Sequence, residues 1–152
     1  MAEVAMHRPG GVAGVIGPLY VLLFPIPVVC FLAAVATDAM YAASAFLLWL
    51  HFSEWLIAAG LAFGALAALA LLITFIASRA VCAKPGGLHL LLFYAALVVE
   101  LFNSLVHTID GYTAVVWTGM ALSVVGAILA LAAAVTLLAL PVAWVGHRGA
   151  RA

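Results

Sequence analysis

Long runs without a charge constrain this chain more than any motif in it. Residues 9–37, 55–78, 85–99 and 111–146 contain no Asp, Glu, Lys or Arg. A helix needs roughly 20 apolar residues to cross about 30 Å of hydrocarbon. The runs therefore predict four spans, near 13–39, 52–78, 87–107 and 113–142. Barrel strands would alternate apolar and polar residues and break such continuity. The expected fold is all-α, an integral membrane four-helix bundle. Composition agrees: 70% of the 152 residues are hydrophobic and 7% charged, against about 25% charged in an ordinary soluble domain. That balance excludes a soluble enzyme and a disordered tail. Five Lys/Arg against five Asp/Glu leave no basic excess to meet nucleic-acid phosphates.

The cations predict a topology. Arg8 precedes the first span, Arg79 and Lys84 separate the second and third, and Arg148 and Arg151 follow the fourth. The connections after the first and third spans hold only Asp38 and Asp110 at their edges. All the cations fall on one side, which places both termini in the cytoplasm and the chain in the bacterial inner membrane. Residues 1–12 then form a cytoplasmic lead and 143–152 a cytoplasmic tail. The first run is longer than the about 7–15 residues of a signal-peptide core, so it is read as a retained span. Cys30 lies within that span and Cys82 in a reducing cytoplasmic connection, and neither has metal-ligand spacing.

Local features refine this outline. Phe24-Pro25-Ile26-Pro27 should kink or divide the first span. The aromatic stretch Tyr41–His51 is too short to span, and should lie at the interface or lengthen the second span, with Trp49 and Trp55 at headgroup depth. Gly60, Gly64 and Ala68, and likewise Gly119, Ser123 and Ala127, recur every four residues. Small residues at that spacing predict close helix packing within the bundle.

Polar residues at membrane depth are costly and usually face a bundle interior. On the third span His89, Glu100, Asn103 and His107 fall within about 60° of one another, and Glu100 lies about 10 Å from His107 along the axis. Asp38, His51, Glu54 and Asp110 gather toward the outer end. Asp38, Glu54, His89, Glu100, Asn103 and Asp110 thus form the expected polar membrane core. Three readings compete for it. The first is structural, with Glu100 hydrogen-bonded to Asn103 and neighbouring helices. The second makes His51 and His107 axial ligands of a b-type haem. The third is a proton relay or small transporter along the polar face, or a metal held by His51, His107 and Asp110. His89 reads as an interfacial histidine, about 27 Å from His107 on a straight helix and so unable to share its metal. His51 and Glu54 have only the spacing of half a di-metal site. No phosphate loop, nucleophile elbow or His-Glu-x-x-His is present, and no catalytic residues are expected.

The chain resembles a family of bacterial four-helix membrane proteins, domain of unknown function 2231, over roughly residues 15–135. The resemblance rests on Gly17-Pro18-Leu19-Tyr20, Phe24-Pro25-Ile26-Pro27 and Ala36-Thr37-Asp38-Ala39-Met40-Tyr41 in the first span. Trp55-Leu56-Ile57-Ala58-Ala59-Gly60-Leu61, His89, Asn103 and Ala121-Leu122-Ser123 continue it. Members commonly begin with His-Pro-x-His where this chain has Gly17-Pro18-Leu19-Tyr20. The resemblance implies that any cofactor held there is lost, or has moved to His51 and His107. It also implies a respiratory, periplasmic redox context. The leading expectation is therefore a non-catalytic anchor or accessory subunit of a respiratory or redox membrane complex in the lipid bilayer. A haem electron carrier and a proton conduit are the alternatives.

Overall fold

The computed structural model describes residues 19–78, 84–108 and 114–139. Arg8, Arg79, Arg148 and Arg151, on which the expected topology rests, lie outside the described residues, as do Cys82 and Asp110. Among the described residues, four helices are long and apolar enough to cross a bilayer. They are α1 (Pro25–Ser44), α2 (Leu47–Ser78), α3 (Lys84–Thr108) and α4 (Met120–Leu138).

A helical turn over residues 19–23 leads into α1. The break falls at Phe24, because Pro25 at the first helical position supplies no N–H. Phe24 N–H still bonds to the Tyr20 carbonyl at 2.8 Å, so residues 19–44 cross as one apolar unit. At its far end α1 stops at Ala45, which adopts a left-handed conformation with φ 53° and bonds back to Tyr41 O. The aromatic stretch Tyr41–His51 is thus divided: residues 41–44 finish α1, and 47–51 open α2 and lengthen the second span. We call this end of the bundle the turn end. A π-helical turn, Ala114–Gly119, precedes α4.

The helices pack as a ring in which α4 returns to α1. Phe24, Phe31, Phe93 and Leu71 fill the middle against Ala67, Ala96, Ala127, Ala130 and Ala133. Alanines on α4 are what let the aromatic rings fit. A Cβ on Gly60 would strike the Phe31 ring, and one on Gly64 would strike Leu97. These small residues therefore serve packing inside the bundle, as their spacing predicts. The large apolar side chains Leu22, Trp55, Leu91, Trp117 and Ile128 face outward, while Asp38, Glu100, Asn103 and His107 are buried. Apolar outside and polar inside is the pattern of a bundle whose solvent is lipid.

Candidate functional site

The buried polar residues form a connected network near the turn end, drawn from all four helices. Asp38 of α1 is its hub. Its Oδ1 accepts from Ser53 Oγ of α2 and faces His107 Nε2 of α3 at 3.0 Å, while its Oδ2 accepts from Ser123 Oγ of α4 at 2.5 Å. Asn103 Nδ2 donates to Ser123 Oγ at 2.7 Å and to Glu100 Oε2 at 2.9 Å. Thr37 Oγ1 lies 3.1 Å from Ser53 Oγ. The result is a chain from His107 through Asp38, Ser123 and Asn103 to Glu100. It includes contacts between α1 and α3, which stand diagonally in the ring.

Two glycines make room for this chain. A Cβ on Gly126 would overlap the Glu100 carboxyl group, and one on Gly119 would come within 3.0 Å of His107 Cε1. The α4 backbone at Gly126 thus approaches the acid more closely than a side chain would permit, and Gly119 in the π-helical turn brings its backbone close to the imidazole.

His107 Nδ1 lies 3.0 Å from the Asn103 carbonyl, which has no hydrogen to give, so Nδ1 carries one and donates it. Asp38 already accepts from two hydroxyls. One further hydrogen is therefore shared between His107 Nε2 and Asp38 Oδ1. At the other end Glu100 Oε1 and Asn103 Oδ1 are buried acceptors with no donor. Such orphans are costly, and a hydrogen or an ordered water relieves the cost.

His89 belongs to a separate pair near the opposite end. Its Nδ1 donates to the Ala133 carbonyl at 2.8 Å, with Thr136 Oγ1 at 3.3 Å. Its Nε2 therefore accepts from the Tyr20 hydroxyl. The imidazole stacks at 8° on Phe93, with Phe24 edge-on at 5.2 Å between ring centroids. Phe93 and Ala96, both fully buried, separate this pair from Glu100. The polar stripe of the third span, expected as a single file, is thus divided into two centres by an apolar layer.

The remaining candidates stand apart from the network. His51 is exposed, with its Nδ1 3.2 Å from Glu54 Oε2. Glu54 and His107, with Trp55, Ala58, Ser104 and Thr108, line a groove of about 290 Å³ at the turn end. The expected haem does not fit the residues as placed. An axial imidazole must offer the iron a lone pair, and both His107 nitrogens face acceptors. His51 directs Nδ1 at a carboxylate and keeps Nε2 free, so the misfit lies at His107. Among the described residues no group of three or more His, Cys, Asp or Glu could hold a metal ion.

Sequence reasoning overlooked Tyr20, Thr37, Ser53 and Thr136 as members of these centres, and treated Ser123 as a packing and family-motif residue. The available signal was a hydroxyl inside an otherwise apolar run, which had to be satisfied by something.

Fold and site together define a four-helix membrane protein with a buried acid–imidazole centre. The sequence profile of the family described as predicted membrane protein, domain of unknown function 2231, matches residues 17–151. The chain belongs to that family. No curated protein and no solved structure matches it.

Proposed function

We propose that the protein is an accessory membrane subunit that takes up and releases a proton at one face of the bilayer, alongside a larger redox or transport partner. The observation that carries this reading is the 3.0 Å contact between His107 Nε2 and Asp38 Oδ1, two atoms that can bond only by sharing a hydrogen. Ser123 and Asn103 connect it to Glu100, whose Oε1 lacks a donor. A buried imidazole–carboxylate pair tied to a second acid is suited to holding one hydrogen in more than one place. The apolar layer at Phe93 and Ala96 argues for exchange at the turn end rather than passage from end to end. A centre open at one face can hand a proton to a neighbour but cannot move it across, hence the partner. The asymmetry of the five Lys/Arg supports reading this end as the outer side of a bacterial cytoplasmic membrane.

Infrared difference spectra of the bilayer-embedded protein between about pH 5 and pH 8, the range in which imidazole titrates, test the proposal. The expected result is a protonated-carboxyl stretch that changes with pH and is altered by Asp38→Asn and by Glu100→Gln. No pH-dependent carboxyl band, with Glu100→Gln lowering only thermal stability, would leave the network as structural glue and the protein as an anchor.

A further inference from the structure

The centre is closed on most sides. Asp38, Ser53, Glu100, Asn103 and Ser123 are at most 1% exposed. Thr37 is half-buried at the edge of the centre, and His107 stands on the wall of the groove it shares with Glu54. From there side-chain exposure climbs in steps, from 1% at His107 to 34% at Glu54 and 62% at His51. The steps run from the buried imidazole to the surface through groups that all bind protons. Ala58, Ser104 and Thr108 are short wall residues that keep the groove open. Gly119, beside His107 Cε1, puts no side chain in the way of the ring.

We propose that this groove is the proton entrance to the centre, that Glu54 is the acid at its mouth, and that His107 carries the hydrogen by turning its imidazole between Asp38 and Glu54. The inference rests on the proton-exchange reading above and names its route. Among the described residues, the groups around His107 are Asp38 on α1, Glu54 on α2, and Glu100 and Asn103 on α3, with Ser123 on α4 behind Asp38. Among the described residues, the π-helical turn brings Gly119 beside the ring. In the release step the turned ring brings Nε2–H to the Glu54 carboxylate. The N–H bond breaks and an O–H bond forms, leaving a neutral imidazole and a neutral carboxyl group. Glu54 then gives the hydrogen to groove water or to a neutral His51 ring nitrogen. Uptake runs the same steps in reverse.

The test is a pH jump on the bilayer-embedded full chain, following the rate at which the carboxyl band of the centre changes. Glu54→Gln removes the acceptor, and Ala58→Trp fills the groove from its lipid-facing wall without touching any hydrogen bond of the centre. Each should slow the change about a hundredfold, the lower end of what a positioned proton-transfer group contributes. Glu54→Asp should recover part of the rate. If both variants exchange at the unmodified rate, the inference is overturned, and slowing by only one of them overturns it as well, because the route needs acid and groove together. If the unmodified centre shows no carboxyl band at equilibrium, the proton-exchange reading itself fails. A normal equilibrium band with rates unmoved by either variant removes only the entrance.

Discussion

Gly126 carries a hydrogen where any other residue would drive a Cβ into the Glu100 carboxyl group. Gly126→Ala should therefore destabilise the bundle through overpacking, by about 2 kcal/mol, measured by unfolding in mixed detergent micelles. Glu100→Ala removes the obstacle, so the double variant should be less unstable than the sum of the singles, by about 1 kcal/mol. Additive losses would mean that the two residues do not meet. Ser123 makes a complementary case. It accepts from Asn103 and donates to Asp38, so Ser123→Ala strands a buried donor and a buried acceptor together. The expected loss is about 1–3 kcal/mol, and Ser123→Thr, which keeps the hydroxyl, should recover most of it. The helical period makes Glu100, Asn103 and His107 legible as one face of α3. It says nothing of Asp38, 69 residues from His107, because a period within one helix carries no register against another.

At the scale of the elements, the ends of the helices follow from backbone chemistry. Pro25 starts α1 because a first helical position has no use for its missing N–H. The turn between α1 and α2 is less favourable, since Ala45 holds a φ of 53° where an L side chain crowds the following carbonyl. Ala45→Gly should stabilise the protein by about 1 kcal/mol, and a rise in the thermal midpoint checks it. A fall would show that the Ala45 methyl group makes a contact that outweighs the strain. The long apolar runs announce the helices themselves, and the two prolines announce the break at Phe24. The π-helical turn at Ala114–Gly119 has no comparable signal. The extra residue it accommodates falls where Gly119 sits against His107 and α4 begins.

For the molecule as a whole, the division of its polar interior decides what it can conduct. One centre joins Asp38, Glu100 and His107, the other joins Tyr20 and His89, and Phe93 and Ala96 lie between them. Vesicles carrying the protein alone should hold a pH gradient as long as protein-free vesicles do. Faster collapse would show a continuous path through the apolar layer. The two centres should also fail separately. Tyr20→Phe removes the donor to His89 Nε2 and should lower stability by about 1 kcal/mol, while the carboxyl band of the other centre stays where it is.

Membrane residence, four helices and the burial of polar groups on α3 are decided by the sequence alone. Uncharged runs of such length have no other stable solvent, and hydrocarbon leaves the backbone no other pairing than a helix. Only the tertiary structure decided that His107 meets Asp38 instead of His51. Likewise, only it decided that Tyr20 rather than a residue of the turn end completes His89, and that a Phe93 layer interrupts the stripe. Those pairings depend on how far each helix is rotated and slid against its neighbours. That register is set by where alanines and glycines let Phe31, Phe93 and the Glu100 carboxyl group fit, a property of facing surfaces that no single stretch of chain contains.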